Sequence, residues 1–188
     1  MVRTKPIYLL VWLAVLLLIV SNAVPQDTSD NKLPNFHKVT DKLYRGAQPK
    51  PGGLSTVSRL GIKTIINLRD DDQRAKDEES EARTAGLRYF NIPVGRWGRP
   101  VDADIDRVMS IITDPENQPV FVHCQRGADR TGVVIAVYRI AHDGWTSEQA
   151  KDEAKHYGLK PWQIGMKDYI HDFNARYVET HKPAKQGP

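Results

Sequence analysis

Short β-branched runs form the first pattern along the chain. The runs 64–68 and 120–122 have the length and composition of buried strands, and 89–94 predicts another strand. Two shorter strand-like pieces, 36–39 and 43–44, flank a turn. The sequence therefore predicts a central sheet of about four or five strands.

Helical spacing fills the stretches between these strands. One amphipathic stripe recurs at spacings of four, three and four, at Val101, Ile105, Val108 and Ile112. Further helices are predicted at 54–60, 70–85, 131–141, 146–157 and 162–177. The charge run in 70–85 is expected to face solvent. Because strands alternate with helices, we expect a single-domain α/β fold with a mainly parallel central sheet flanked by helices.

The first residues differ in kind from the rest of the chain. A short basic start precedes the apolar stretch 7–20, which has the length of a secretory signal core and is short for a membrane-spanning helix. Small residues follow at Ser21 and Ala23, so a signal peptide is predicted over 1–23, with an uncleaved membrane anchor as the alternative. The predicted location is outside the cytoplasm, either periplasmic or secreted.

Composition predicts the remaining boundaries. A flexible linker is expected over 24–34, one folded domain over 35–178 and a disordered tail over 179–188. The formal charge of +4 gives little indication of nucleic-acid binding, so no such partner is expected. The histidines lack metal-ligand spacing, and no metal is predicted.

The most informative pattern lies between the strand 120–122 and the helix 131–141. It reads His123, Cys124, Gln125, Arg126, Gly127, Ala128, Asp129, Arg130 and Thr131. Loops at the carboxyl ends of parallel strands bind ligands, and backbone N–H groups at a helix N-terminus favour a phosphate dianion. We therefore expect the loop residues 125–130 to bind phosphate.

Each side chain around the loop has a predicted task. The pKa of Cys124, the only cysteine, is expected to fall in this field, which makes the sulfur a nucleophilic thiolate. Arg130 can present two parallel donors to phosphate oxygens. Thr131 is expected to donate to the sulfur, and the His123 ring to brace the loop by hydrogen bonds to its backbone. The alternative is a buried, inert cysteine followed by a capped helix.

The loop resembles the signature of the protein tyrosine phosphatase superfamily, His-Cys-x5-Arg-Thr-Gly. Residues 35–177 resemble its compact dual-specificity branch. The strand 62–68 is similar to that of atypical members from bacteria, fungi and plants, as are Leu43, Tyr44, Arg45, Gly46, Ala47, Gln48 and Pro49. The resemblance implies the cysteine phosphatase fold and a phosphocysteine intermediate formed without metal or cofactor. It implies phosphotyrosine, phosphoserine, phosphothreonine or inositol-type phosphates as substrates.

The general acid has two candidates. In the family that this sequence resembles, an aspartic acid some thirty residues before the cysteine protonates the leaving oxygen. In this sequence Asp102 is the first acid available in that region. Asp102 can equally cap the helix that follows it. Asp129 lies inside the phosphate loop and can serve as the acid or orient Arg130. We favour Asp129 because nearby phosphate raises the pKa of a carboxyl group, as an acid requires.

The predicted rim of the site is basic. Arg126, with Arg96 and Arg99, can attract substrates that carry several phosphates, although the last two also suit a solvated surface. Trp97 is expected either to form part of the wall of the cleft or to pack in the core. For Trp162 we favour packing in the core.

Two other classes of protein remain open. Sulfurtransferases also place a cysteine in an anion-binding loop, but they do not require Arg130 and Thr131. A phosphate-binding module without catalytic activity would explain why no acid stands at the start of the loop that precedes Asp102. Such a module, however, has no need of a thiolate. The favoured function is a phosphatase whose partner is a phosphorylated protein or a small phosphoester. A membrane partner is expected only if the segment 1–23 is uncleaved.

Overall fold

A five-stranded sheet organises the computed structural model, which describes residues 32–180. Its strands are β1 His37–Thr40, β2 Leu43–Ala47, β3 Thr64–Asn67, β4 Arg88–Asn91 and β5 Val120–Cys124. Their order across the sheet is β1-β2-β5-β3-β4. Only the β1–β2 pair is antiparallel among the pairs formed by the described residues. The predicted mainly parallel sheet is confirmed.

Six helices flank this sheet within residues 32–180. They are α1 Gly53–Arg59, α2 Gln73–Thr84, α3 Asp102–Thr113, α4 Asp129–Asp143, α5 Ser147–His156 and α6 Ile164–Thr180. Thr146 and Gln149 form the predicted capping box at the start of α5. Gly144 ends α4 in the left-handed conformation, at φ 68°. None of the helices in this part of the chain has the length and apolar character needed to span a bilayer.

The central strand β5 is buried on both faces, as its apolar sequence predicts. Successive side chains point to opposite faces. Val122 and Cys124 therefore join the larger core cluster, with apolar residues of α3, α4 and α6. Phe121 joins the smaller cluster beside α1. This alternation places the sulfur on the α4 side, at the carboxyl end of the sheet.

The folded part extends further at both ends than the sequence suggests. Leu33 is only 5% exposed and packs in the smaller cluster, and the Pro34 carbonyl accepts a hydrogen bond from the Ala47 amide at 2.8 Å. The linker prediction is therefore wrong for residues 33–34. The tail prediction is wrong at its start, because α6 continues to Thr180.

The remaining terminal predictions concern residues that the structure does not describe. The signal peptide predicted over 1–23 lies outside the described residues, as do most of the linker and of the tail.

Candidate active site

The loop between β5 and α4 is held against the neighbouring strand β2. Gly127 has φ +67°, and a Cβ atom there would lie 2.3 Å from the carbonyl carbon of Gly46. Only glycine meets both the conformation and the close approach. Arg45 donates from Nη2 to the Gly127 carbonyl at 3.0 Å, and Asn35 donates from Nδ2 to the Arg126 carbonyl at 3.0 Å. Two side chains from outside the loop thus fix its backbone.

A cavity of about 270 Å3 opens above this loop. Its lining consists of Arg96, Trp97, Cys124, Gln125, Arg126, Asp129, Arg130, Trp162 and Gln163. The structure therefore brings together most of the residues that the sequence assigns to the site. Gly127 and Ala128 are buried beneath the cavity, where their backbone continues the loop.

The Cys124 thiol is 3% exposed, on the floor of the cavity. Its burial raises its pKa, but the hydroxyl and backbone N–H of Thr131, the charge of Arg130 and the backbone N–H of Arg126 outweigh that effect. The pKa of Cys124 consequently lies below its ordinary value. The Thr131 hydroxyl has no well-aligned partner among the described residues, which leaves its proton free to turn toward the sulfur.

Arg130 is anchored so that its guanidinium reaches the cavity. The side chain is 4% exposed, and Nη1 donates to the Leu68 carbonyl at 3.0 Å, just beyond β3. An arginine held at one nitrogen keeps other donors for a ligand oxygen. This placement suits the phosphate-binding role predicted from the sequence.

The two candidate acids lie in different surroundings. Asp129 lines the cavity, where its Oδ1 accepts from the Lys160 amide at 2.9 Å and its Oδ2 accepts from Arg126. Asp102 lies in a separate cavity and accepts from Arg176 Nη1 at 2.8 Å and Nη2 at 3.0 Å.

The partners of Asp102 make it a poor acid. Hydrogen bonds from Arg176 and Tyr169 lower the pKa of this carboxyl group to about 2. The alternative capping prediction is also wrong, because Val101 occupies the cap position and Asp102 is the first residue of α3. The site therefore offers Asp129, and not Asp102, as its carboxyl group.

A buried polar network behind the loop was not predicted from the sequence. Glu78 of α2 is 5% exposed, which contradicts the expectation that the whole charge run faces solvent. It accepts hydrogen bonds from Gln48 Nε2 at 2.6 Å, Asn67 Nδ2 at 2.7 Å and the Tyr89 hydroxyl at 3.1 Å. A signal existed in the spacing, since Glu78 lies between the buried Ala75 and Ala82 on one helix face.

The same carboxylate faces the residue that precedes the nucleophile. His123 Nε2 lies 3.1 Å from Glu78 Oε1, and both residues are buried. The contact is poorly aligned, and neither ring nitrogen has a well-aligned partner among the described residues. Burial raises the pKa of Glu78, but His123, Tyr89 and Gln48 outweigh it, so the pKa is lowered. The predicted hydrogen bonds from the His123 ring to the loop backbone are absent; the ring faces Glu78 instead.

The rim loop, residues 95–99, forms one wall of the cavity and is tied to the first turn of α6 and to the residue before it. Gln163 donates from Nε2 to the Arg96 carbonyl at 3.1 Å. A Cβ atom on Gly165 would lie 2.7 Å from the carbonyl carbon of Gly98, so the two backbones are in close contact. Arg96 also donates from Nη2 to Gln125 Oε1 at 3.2 Å across the cavity.

The two exposed tryptophans stand at the mouth of the cavity. Trp97 is 67% exposed and Trp162 is 62% exposed, and both line the cavity. The packing predicted for Trp162 is wrong, because its side chain is exposed in the connection between α5 and α6. Arg99 points away from the cavity and donates from Nη1 to Asp172 Oδ2 at 2.7 Å.

Within residues 32–180, no group of three acidic, histidine or cysteine side chains is arranged to hold a metal ion.

Known proteins are similar to this chain over much of its length. A family model described as "DSP-PTPase phosphatase fused to NAD+ Kinase" matches residues 18–172. The dual specificity protein phosphatase TpbA of Pseudomonas aeruginosa is 31% identical over 142 residues, which are 75% of this chain and 60% of TpbA. The inositol diphosphatase DSP5 of Arabidopsis thaliana is 28% identical, over 76% of this chain and 71% of DSP5.

Solved structures agree in fold. The catalytic domain of the PP-IP phosphatase SIW14 from S. cerevisiae superimposes with a TM-score of 0.68 at 21% identity, over 78% of this chain and 90% of that domain. This likeness shows the cysteine phosphatase fold, and the family model covers most of the chain, including the loop from Cys124 to Arg130. The chain therefore belongs to the DSP-PTPase phosphatase family, an atypical dual-specificity branch of the protein tyrosine phosphatase superfamily.

Proposed function

We propose that this chain is a phosphatase that hydrolyses phosphomonoesters through a phosphocysteine intermediate, without a metal or cofactor. The observation that carries the proposal is the geometry of Cys124, a thiol of lowered pKa on the floor of a cavity that Arg130 also lines. A thiolate attacks phosphorus, and a positioned guanidinium stabilises the charge that spreads over the phosphate oxygens.

In the first step the sulfur of Cys124 bonds to phosphorus while the bond to the leaving oxygen breaks. Asp129 donates the proton that this oxygen needs, and it is the carboxyl group in the cavity lining. Arg130 and the loop N–H groups hold the phosphoryl oxygens. In the second step Asp129 takes a proton from water, the water oxygen bonds to phosphorus and the sulfur leaves as a thiolate that Thr131 stabilises.

The substrate classes that we propose are phosphotyrosine, phosphoserine, phosphothreonine and inositol-type phosphates. TpbA is named as a dual specificity protein phosphatase, and DSP5 as an inositol diphosphatase. This chain spans 60% of the length of TpbA, so the activity and substrates of that protein enter here only as proposals. Arg96 and Arg126 line the cavity and would favour anionic substrates.

The test measures phosphate release by the full chain, in the presence of a metal chelator, from p-nitrophenyl phosphate, phosphotyrosine and phosphoserine peptides, and inositol phosphates. Activity that disappears in Cys124→Ser supports the mechanism. Activity that persists in this variant would refute it. If no substrate is hydrolysed while Cys124→Ser protein binds phosphoesters, the chain is a phosphate-binding module.

The same assay distinguishes the acid from a structural brace. We expect Asp129→Asn to lower kcat by about 100-fold or more on the phosphoserine peptide, because its alkoxide is a poor leaving group. The loss on p-nitrophenyl phosphate should be much smaller, since p-nitrophenolate leaves without a proton. Asp102→Asn is the matched control and should keep full activity on both. Equal losses of Asp129→Asn on both substrates would show that Asp129 acts structurally.

We also propose that the chain is exported, to the periplasm or beyond the cell. The support is the basic start, apolar stretch and small residues of 1–23. Cell fractionation of the full chain, with N-terminal sequencing of the product, tests this proposal. A product that retains Met1 in the cytoplasmic fraction would exclude it.

A further inference from the structure

Arg45 is a buried cation whose guanidinium contacts no carboxylate among the described residues. It lies on β2 beneath the phosphate loop and is 1% exposed. Within residues 32–180 its guanidinium forms no ion pair, and Nε and Nη1 have no hydrogen-bonding partner. Arginine is almost never fully buried unless it is paired, because removing a charge from water is costly. Its presence here calls for a compensating anion or a positional task.

The contacts of Arg45 lead to the phosphate loop. Nη2 donates to the Gly127 carbonyl at 3.0 Å, and the guanidinium lies 4.2 Å from the centre of the Tyr157 ring. Burial lowers the pKa of Arg45 to about 10, so the group still carries its charge at neutral pH. Its strand position pairs with Val122, two residues before Cys124, on the neighbouring strand.

The charges around Arg45 act on it without a direct ion pair among the described residues. The titratable groups that face it from the packed elements are His37, Cys124, Arg139, Glu153 and Tyr157. Among these charges that of Glu153 acts most strongly on Arg45, but the hydrogen bonds of this carboxylate go to Arg139, whose Nη2 donates to Oε1 at 2.8 Å. The pKa of His37 is lowered by burial and then by the charge of Arg45, which favours a neutral ring. The remaining acid among these groups that can carry a full charge in the loop is the Cys124 thiol.

We propose that Arg45 is a positioning residue whose buried charge stabilises the Cys124 thiolate from the closed side of the loop, while its hydrogen bond holds the Gly127 carbonyl away from the bound phosphate. Arg45 does not line the cavity, so it acts through the loop and does not touch substrate. Arg130 neutralises the same region from the open side. The inference rests on the proposed phosphatase function.

The test measures the pH dependence of Cys124 alkylation by iodoacetamide in the full chain. Cys124 is the only cysteine in the sequence, so all label reports on this thiol. We expect Arg45→Met to raise the thiol pKa by about one unit, because the charge of Arg45 acts on Cys124 and a buried charge is poorly screened by solvent. Arg45→Lys keeps the charge and should shift the pKa far less.

The control is Arg88→Met, at the opposite edge of the sheet. Arg88 of β4 also donates to a loop carbonyl, that of Glu116, at 2.9 Å. This variant should leave the thiol pKa unchanged. The proposal is overturned if folded Arg45→Met protein titrates as the wild type does, or if Arg45→Lys shifts the pKa as far as Arg45→Met.

Two further readouts keep the test decisive. If Arg45→Met does not fold, Tyr157→Leu opens the guanidinium to solvent and should raise the thiol pKa in the same direction, and no change would overturn the proposal. Alkylation needs no substrate, so it tests the electrostatic role of Arg45 separately from the phosphatase function. Suppose that Arg45→Met raises the thiol pKa relative to wild type but that the wild-type chain hydrolyses no phosphoester. This result would refute the phosphatase function and support the electrostatic role of Arg45.

Discussion

Replacing Glu78 by glutamine removes one negative charge from the buried network beside His123 and keeps the size of the side chain nearly unchanged. The carboxylate accepts three hydrogen bonds, from Gln48, Asn67 and Tyr89. An amide offers one oxygen to these donors, and its NH2 group must face one of them or His123. At least one buried donor therefore loses its partner.

The expected cost follows from those contacts. A hydrogen bond to a charged group contributes about 1.5–3 kcal/mol, and an unsatisfied buried donor costs about 1–3 kcal/mol. We expect Glu78→Gln to lower the free energy of unfolding by about 2–4 kcal/mol, which corresponds to a Tm lower by roughly 4–16 °C in a domain of this size. Glu79→Gln is the control, because the pair that Glu79 forms with Arg83 is exposed to solvent.

The pH dependence gives a second test of the same reasoning. The pKa of Glu78 is lowered in the folded protein from an ordinary value of 4.5. Its contribution to stability is therefore fully present above that value and is lost as pH falls through the lower, folded pKa. The difference in unfolding free energy between wild type and Glu78→Gln should be constant above about pH 5.5 and should narrow below about pH 4.5.

Urea unfolding of both proteins between pH 3 and pH 8 measures these differences. A Glu78→Gln protein as stable as the wild type at pH 7 would refute the importance of the network. A difference that stays constant down to pH 3 would show that the charge of Glu78 is not involved.

Three further predictions concern the cavity and its surroundings. Gly127→Ala should abolish phosphate binding measured by calorimetry and should lower the free energy of unfolding by more than the roughly 1 kcal/mol of a left-handed alanine, because its Cβ meets the Gly46 backbone at 2.3 Å. Trp97→Ala should leave Tm within about 2 °C of wild type, since the side chain is 67% exposed, but should raise KM for phosphopeptides in steady-state assays. Asp102→Asn should cost about 1 kcal/mol or less in urea unfolding, because its pair with Arg176 is half exposed. An unchanged KM for Trp97→Ala, or a Gly127→Ala protein that still binds phosphate, would contradict these assignments.

The sequence predicted the sheet and the phosphate loop because their signals are local. The buried run at 120–122 fixes a central strand, and the glycine and arginine that follow the cysteine at set spacings identify the loop. The capping box at Thr146 is another signal contained within four residues. Patterns of this kind predict structure reliably because they depend only on residues that are close together in the sequence.

The rest of the site depends on contacts between distant residues. The choice between Asp102 and Asp129 needed the position of Arg176, which binds Asp102 from α6. The sequence around Arg45 shows only a charged residue in a short strand, which does not predict that its side chain is buried beneath the loop. Glu78 had a faint signal in its helix spacing, but its partners come from three other segments.

The attachment of the rim loop to Gln163 and Gly165 bears on how the protein turns over. Many enzymes of comparable size must bring a flap down over the substrate before chemistry can begin, and that movement often limits the rate. Here the backbone of the wall already packs against that of α6, and the carboxyl group of the cavity comes from the loop that also carries the nucleophile. The contacts of this wall set the width of the opening, so shape adds to the charges of Arg96 and Arg126 in selecting substrates.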